Sequence, residues 1–510
     1  MILLDGGSLT IDELVAIADA GATVGLTPAA ARRVDASRAV VDRHASGDAP
    51  VYGINTGFGA LAETAIPRDA LGRLQLNLLR SHAAGVGDPL PVRAVRASMA
   101  LRANVLAKGF SGIRRDTLER LMALLNRGVH PRVPSRGSVG ASGDLAPLAH
   151  IALVLVGEGE ATIGDSPEVL SGRAALDAAA IAPIVLEAKE GLALINGTQP
   201  STAIAALAAD GAARLARAAD IAAALSIDAM RGSMDPFDSR IHAARPHQGQ
   251  GTSAANILRL LTGSAINTSH EHCGRVQDAY SLRCAAQVHG AARDALRFAR
   301  ETLTIEANAA TDNPMVFPEE GEDEAAIVSG GNFHGAPVAI AADLITIALA
   351  HLATISERRV DRLVNPALSG LPAFLTPNSG LQSGYMIAQV TAAALTSEIK
   401  TLAHPASVDT IPTSANREDH VSMSMGAALK AARALEHAID VVSIEILCAC
   451  QGIDLLAPLT TSPALQHVHA RVRAIVATLT DDRPPAPDIH AIARLIAGDS
   501  LVAPSMVEVK

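Results

Sequence analysis

The sequence predicts a mainly α-helical protein whose larger part is a bundle of long helices. Aromatic residues make up 2% of the 510 residues and tryptophan is absent, so strands built on aromatic side chains are not expected to dominate. Hydrophobic residues make up 49%, which is sufficient for a large core. Small and apolar residues recur at helical spacing over long segments that are rich in alanine, the strongest helix former.

The first 200 residues are predicted to form a smaller N-terminal domain of mixed structure. Helical patterns alternate there with glycine-rich and proline-rich stretches that cannot stay helical. The predicted elements are two short helices within 12–42, a loop at 49–59, helices at 93–107 and 115–127, a helix starting near Leu145, and short strands and turns within 157–189.

Residues 201–510 are predicted to form the long-helix bundle domain. Four segments each carry small and apolar residues at helical spacing over roughly seven turns or more. Alanine-rich helices of this length are expected to pack tightly as a bundle, and their apolar faces to associate with other subunits. The four segments are 201–230, 277–303, 337–363 and 419–447, and a proline-rich hinge at 481–487 precedes a last short helix.

Composition excludes several classes of function. The net charge of −10, without a basic cluster, argues against a nucleic-acid partner. The N-terminus lacks a basic segment followed by an apolar run, and no 18-residue apolar stretch is expected to span a membrane. The four cysteines are too few for a disulfide framework, and no His-Glu-x-x-His pattern indicates a metal site. We therefore expect a cytoplasmic protein with a small-molecule partner and no metal.

Three small neighbours, Ala141, Ser142 and Gly143, can form an electrophile from the backbone alone. If the amide nitrogen of Gly143 attacks the carbonyl carbon of Ala141, a five-membered ring closes around Ser142. The ring then loses one water, and the Ser142 hydroxyl leaves as a second water. The product is a methylidene-imidazolone, which accepts amines. Glycine favours this close approach because it has no Cβ atom.

The stretch Gly140-Ala-Ser-Gly-Asp-Leu-Ala-Pro-Leu148 resembles the signature of the aromatic amino acid ammonia-lyases. The resemblance implies a fumarase/aspartase-like helical fold and a 4-methylidene-imidazole-5-one group formed from Ala141-Ser142-Gly143, with no dissociable cofactor. It also implies a homotetramer whose active sites take residues from more than one subunit. The alternative interpretation is a glycine-rich turn before a helix. A serine hydrolase is excluded because no Gly-x-Ser-x-Gly elbow is centred on Ser142.

Two tyrosines are the catalytic candidates beside the tripeptide. The resemblance implies that Tyr52, in the 49–59 loop, is an acid or base, which requires an environment that lowers the pKa of a phenol from about 10. Gln277, Tyr280 and Arg283 recur every three residues, so a helix would place them on one side. Arg283 is expected to hold the substrate carboxylate bidentately. The alternatives are a packed tyrosine at position 52 and an ordinary salt bridge for Arg283.

Three further residues are expected to line the pocket. Asn196 matches the family asparagine beside the prosthetic group, where its amide can hold a carboxylate or an imidazolone oxygen. Phe333 matches an aromatic wall of the family pocket, and Met386 is a weaker candidate for the same role. Each of them has simple core packing as its alternative.

The substrate ring is expected to lie between His82 and Glu418. Histidine-specific members of the family resemble this chain in the Ser81-His82 pair, and a carboxylate such as Glu418 suits an imidazole N–H. Both side chains would be penalised by burial around a bare phenyl ring. The alternative is that His82 and Glu418 are an ordinary buried pair.

The resulting hypothesis is deamination of L-histidine to trans-urocanate and ammonia, with Tyr52, or alternatively Glu418, removing the β-proton. Several positions depart from typical histidine lyases and some of these are closer to tyrosine or phenylalanine lyases, so those enzymes and the related aminomutases remain alternatives. A non-catalytic helical assembly protein is the alternative from another class. The departing positions are Ala279, Ala285-Ala286, Gly335-Ala336 and Arg417.

Overall fold

The computed structural model describes residues 1–47, 49–57, 64–270, 274, 276–319 and 325–501. Within these ranges the chain forms twenty α-helices and nine short strands, so the predicted mainly α-helical class is confirmed. Residues 58–59 of the predicted loop lie outside the described residues. The chain divides into two compact units, each of which is discontinuous in sequence.

Unit 1 comprises Met1–Asp210, Arg300–Asp343 and Pro405–Leu429. It holds all of the described strands, which form four small sheets: β1–β2 is parallel, and β3–β5, β4–β6–β7 and β8–β9 are antiparallel. Its elements are β1 (Ile2–Leu4), α1 (Ile11–Asp19), β2 (Val24–Leu26), α2 (Pro28–Ala45), α3 (Leu71–His82), β3 (Val86–Pro89), α4 (Val92–Ala107), α5 (Arg115–Asn126), β4 (Val129–Pro131), β5 (Pro134–Arg136), α6 (Leu145–Leu155), β6 (Glu160–Ile163), β7 (Leu170–Ser171), α7 (Gly172–Ala178), α8 (Glu190–Ile195), β8 (Met315–Phe317) and β9 (Ala326–Val328).

Local sequence explains where the first helices of unit 1 begin. Thr10 accepts a hydrogen bond from the backbone of Glu13, whose carboxylate accepts one from the backbone of Thr10, and this reciprocal cap starts α1. Thr27 caps α2, and Pro28 occupies its first position, where a missing N–H costs nothing. Helix α4 is buried along almost its whole length, so it forms the centre of the unit 1 core.

Unit 2 comprises Gly211–Ala299, Leu344–His404 and Lys430–Lys510. Four long helices have residues in both units: α9 (Gln199–Ala229), α14 (Ala285–Ala307), α15 (Ala336–Val364) and α18 (Ser424–Asp454). The remaining helices are α10 (Ser239–Ala243), α11 (Gln248–Leu261), α12 (Ala265–Thr268), α13 (Tyr280–Arg283), α16 (Pro366–Ser369), α17 (Met386–Leu402), α19 (Pro463–Arg473) and α20 (Ala486–Ala497).

The predicted division of the chain at residue 200 stays a prediction. The compact units change at Asp210 and are each completed by later segments, because long helices carry the chain from one unit to the other. Helical periodicity continues where a long helix passes from one unit to the other, so the sequence pattern does not indicate the boundary.

Two of the four predicted long helices have different limits in the structure. Segment 277–303 is interrupted, because Ala279 is extended and the short helix α13 ends at Arg283, before α14 begins. Gln277 is therefore not on a helical face with Tyr280 and Arg283. Segment 419–447 becomes helical only at Ser424, because the φ of Met423 is +59°, which a right-handed helix cannot contain.

Helix α15 is the one described helix that has the length and apolar composition of a membrane span. It has 29 residues, and its most apolar 18-residue window has a mean hydropathy of 2.0. However, 67% of that window is buried within the protein. One helix of this kind is accounted for by packing in a protein core, since a helix that is apolar all round is expected there too.

Candidate functional site

The Ala-Ser-Gly tripeptide lies in unit 1, where its last residue touches the backbone of Gly197. Gly143 has a φ of +73°, and a Cβ atom on it would lie 2.7 Å from the Cα of Gly197 and closer still to its carbonyl group. The two glycines pair as a parallel bridge, and the amide of Asp144 donates to the Gly197 carbonyl at 2.8 Å. Only glycine fits at position 143 in this conformation.

The segment before the tripeptide is held by residues 422–424. The hydroxyl of Ser422 donates to the carbonyl of Gly140 at 2.8 Å, and the amide of Met423 donates to the carbonyl of Val139 at 2.8 Å. Gly140 has a φ of +65°, and a Cβ atom on it would overlap the hydroxyls of Ser422 and Ser424. The tripeptide is therefore fixed on both sides by backbone contacts.

Asp144 anchors the tripeptide to the beginning of α9. Its carboxylate is fully buried and accepts hydrogen bonds from the Ser138 hydroxyl at 2.6 Å and from the Ser201 amide at 2.8 Å. Burial raises the pKa of the Asp144 carboxyl, while the hydrogen bonds from Ser138 and Ser201 oppose that rise. The carboxyl thus joins the loop before α6 to a second element of unit 1.

Ser142 is held by two of the predicted site residues. Its hydroxyl donates to Oε1 of Glu418 at 2.9 Å, and its carbonyl accepts from Nδ2 of Asn196 at 3.0 Å. The other oxygen of Glu418 accepts from the hydroxyl of Thr413 at 2.5 Å. The Oδ1 atom of Asn196 is buried without a hydrogen-bond partner among the described residues. An unpaired buried oxygen beside Ser142 is a position where a further donor can bind.

Arg102 supports Asn196, and the sequence reasoning missed it. Its guanidinium, 1% exposed, donates to the carbonyl of Asn196 at 2.8 Å, to the carbonyl of Ala193 at 3.0 Å and to Gln199 Oε1 at 2.9 Å. Asp312 lies 3.6 Å from it. Burial lowers the pKa of Arg102, and Asp312 opposes that effect. The only signal in the sequence was an arginine within an apolar, alanine-rich helix.

His82 ends α3 and is half-buried. Its Nδ1 lies 2.9 Å from the carbonyl oxygen of Leu78, and a carbonyl can only accept, so Nδ1 carries the proton and Nε2 is the acceptor. Burial lowers the pKa of His82, and the Leu78 carbonyl and the charge of Glu418 partly offset this. The imidazole is therefore neutral near pH 7.

Two more predicted residues lie in turns of unit 1. Tyr52 is half-buried in a turn whose Val51 amide donates to Oδ1 of Asn55 at 2.7 Å. Phe333, also half-buried, precedes α15 in a turn closed by the bond from the His334 amide to the Gly331 carbonyl. Among the predicted residues of unit 1, Glu418 and Asn196 are the ones described as contacting the tripeptide directly.

The remaining predicted residues, Gln277, Tyr280, Arg283 and Met386, belong to unit 2. Tyr280 is 71% exposed, and the guanidinium carbon of Arg283 lies 4.7 Å from the centre of its ring, as in a cation–π pair. Gln277 is exposed in the segment before α13, and Met386 is the first residue of α17. Tyr280 and Arg283 are thus neighbours, as their spacing predicted.

No group of three or more His, Cys, Asp or Glu side chains that could hold a metal ion occurs in the parts of the chain that the structure covers. The polar groups around Ser142 are instead hydroxyls, amides and one carboxylate.

Comparison with known proteins now decides the family. The profile of the aromatic amino acid lyases matches residues 9–474. A histidine ammonia-lyase of Anaeromyxobacter dehalogenans is 56% identical over 502 residues, which are 97% of this chain and 98% of that protein. The chain belongs to the aromatic amino acid lyase family. It is therefore a carbon–nitrogen lyase, as its Ala-Ser-Gly signature predicted.

Solved structures of other aromatic amino acid lyases and of related aminomutases share the fold. The histidine ammonia-lyase of Trypanosoma cruzi is 45% identical with a TM-score of 0.91, over 99% of this chain and 95% of that one. The tyrosine aminomutase of Streptomyces globisporus is 38% identical with a TM-score of 0.92, over 98% of this chain and 97% of that one. The predicted fumarase-like helical fold is confirmed.

The substitution Asp144→Ala is expected to destabilise the protein by about 2 kcal/mol, because it leaves the buried Ser201 amide and Ser138 hydroxyl without their acceptor. Thermal unfolding of the full-length protein measures this change, with Asp165→Ala at an exposed position as the control. A melting temperature for Asp144→Ala equal to that of the control would contradict the anchoring role.

Proposed function

We propose that this lyase deaminates L-histidine to trans-urocanate and ammonia, using a methylidene-imidazolone formed from Ala141, Ser142 and Gly143. The observation that carries the proposal is the environment of Ser142, whose hydroxyl is bound by Glu418 and whose carbonyl is bound by Asn196. A plain turn would not need a carboxylate and an amide converging on one serine.

The residues around the tripeptide fit this prosthetic group. Gly143 is free of a Cβ atom where the ring nitrogen would arise, and the segments on either side are fixed by the Ser422 and Asp144 hydrogen bonds. Asn196 would hold the ring oxygen that derives from the Ser142 carbonyl. When formed, the group supplies an electrophile for the amine of the substrate.

The imidazole of the substrate is proposed to lie between His82 and Glu418. Neutral His82 offers an acceptor at Nε2, and Glu418 offers carboxylate oxygens beside Ser142. Both are acceptors, so either can receive the N–H of a neutral imidazole, and together they match the two N–H donors of an imidazolium. A phenyl ring would leave these polar groups without partners, at a cost of about 1–3 kcal/mol each.

The carboxylate end of the substrate is proposed to bind a second group of residues. Arg283 would hold the carboxylate, with Tyr280 as a catalytic residue and Gln277 as a further polar contact. Phe333 and Met386 would contact the apolar part of the substrate. Tyr52 is proposed to remove the β-proton, and Glu418 is the alternative base.

We further propose that the enzyme is a cytoplasmic homotetramer with shared active sites. In the single chain, large apolar side chains are exposed on the long helices, including Phe298 at 54%, Ile387 at 61% and Val390 at 51%. Exposed apolar surface of this kind marks sites of association. The high exposure of Tyr280 supports burial of its ring by another subunit.

Incubation of the purified protein with L-histidine, L-tyrosine and L-phenylalanine tests the substrate. Histidine turnover, followed by the absorbance of the conjugated acid and by ammonia release, is expected to exceed the others by at least about a hundredfold in kcat/KM. Preferred turnover of tyrosine or phenylalanine, or conversion to a β-amino acid without ammonia release, would contradict the proposal.

The substitution Glu418→Gln is expected to lower kcat/KM for histidine by about 10- to 100-fold, because it removes a charge-assisted hydrogen bond to the imidazole. Residual activity on tyrosine or phenylalanine is expected to change much less. The matched control is Asp419→Asn, an exposed neighbouring carboxylate. Equal losses on all three substrates would exclude ring recognition and favour Glu418 as the base.

A further inference from the structure

A buried arginine in unit 2 reaches the segment that carries two of the proposed active-site residues. Arg359 on α15 has a fully buried side chain. Its Nε and Nη2 atoms bind both carboxylate oxygens of Glu445 on α18, the latter at 2.9 Å. Its Nη1 atom donates to the backbone carbonyl of Ser281 at 3.3 Å. Ser281 lies between Tyr280 and Arg283 in α13.

The position of Arg359 is fixed by a chain of buried charges. A guanidinium can only donate, so His289, whose Nε2 lies 3.5 Å from both Nη atoms, must accept there. Its Nδ1–H then donates to Asp220 at 2.8 Å, and Asp220 also binds Arg293. Burial lowers the pKa of His289, in agreement with a neutral ring. Two carboxylates therefore balance two guanidiniums.

This buried chain of charges joins several helices of unit 2. Asp220 lies on α9, His289 on α14, Arg359 on α15 and Glu445 on α18. Glu445 also accepts the hydroxyl of Ser226 at 2.7 Å. A buried ion pair with its hydrogen bonds satisfied is costly to break, so the Arg359 side chain is held in this conformation.

The α13 segment is held by polar contacts on either side of Tyr280. It is one helical turn long, it follows extended residues, and its polar anchor on the N-terminal side is Asp278, which accepts the Ser233 amide at 2.7 Å. Leu282 is 2% exposed and packs inward, whereas Tyr280 is 71% exposed. The Ser281 carbonyl is thus a second polar anchor, and it lies in the same helical turn as Tyr280 and Arg283.

We propose that Arg359, held by Glu445, is a positioning residue that fixes α13 and so aims Arg283 at the substrate carboxylate and Tyr280 at the reacting atoms. The inference rests on the proposed function for the roles of those two residues. Arg359 itself acts only through the backbone of Ser281.

The test uses Arg359→Lys in the full-length enzyme, because lysine keeps the charge beside Glu445 but cannot also reach Ser281 in the same fork geometry. Two analogues of histidine are compared as competitive inhibitors: imidazole propionate, which has the carboxylate, and histamine, which lacks it. The inhibition constant for imidazole propionate is expected to rise about tenfold or more, while that for histamine changes less than about twofold. Equal shifts for both inhibitors would overturn the proposal.

A double-mutant cycle with Arg283→Ala separates positioning from general destabilisation. If Arg359 acts through Arg283, Arg359→Lys is expected to add no further loss of imidazole propionate affinity in the Arg283→Ala background. An additive loss would overturn the proposal. Arg473→Lys is the matched control, since Arg473 forms another largely buried ion pair in unit 2, with Asp454 at 2.8 Å.

A second variant covers the case in which Arg359→Lys does not fold. Replacing Arg359 and Glu445 together by methionine removes the ion pair without leaving a lone charge, and such replacements often preserve stability. The same selective loss of imidazole propionate affinity is expected. If the wild-type enzyme turns over another aromatic amino acid instead, the proposed substrate fails, and the same inhibitor pair built on that ring tests Arg359.

Discussion

The close approach of the Gly143 backbone to Gly197 is the constraint on which the site depends. It fixes the end of the tripeptide against the segment that follows α8, because the Asp144 amide bonds to the Gly197 carbonyl. Asn196 precedes Gly197, so the same contact brings its amide to the Ser142 carbonyl. The electrophile is thus proposed to arise where two backbone segments leave no space for side chains.

Buried charge keeps these segments together. Arg102 binds the carbonyls of Ala193 and Asn196 at the end of α8, and Asp312 lies between Arg102 and Lys189, 3.6 and 3.9 Å from them. Burial lowers the pKa of both cations, which shows that their charges are held at a cost that the hydrogen bonds must offset. In unit 2, Arg359 and Glu445 have a similar relation to α13. In both units a buried guanidinium binds backbone carbonyls of a segment that carries proposed site residues.

The sequence predicted the helical class and singled out the tripeptide, Asn196 and Glu418, but it did not indicate the residues that support them. Helices α4, α9 and α15 carry long regular patterns, which tertiary contacts reinforce. The break before α13 was missed because small apolar residues continue at helical spacing through Ala279, whereas the interruption lies in the extended backbone of that residue. Arg102 was missed for a related reason, since its partners are carbonyls that no residue pattern specifies.

Mass spectrometry of the peptide that contains residues 141–143, taken from the purified active protein, tests the central claim most directly. The predicted result is a peptide lighter than its sequence by two water molecules, and a deficit of at most one water in a Ser142→Ala variant, which has no hydroxyl to lose. A wild-type peptide of full, unmodified mass would contradict the account.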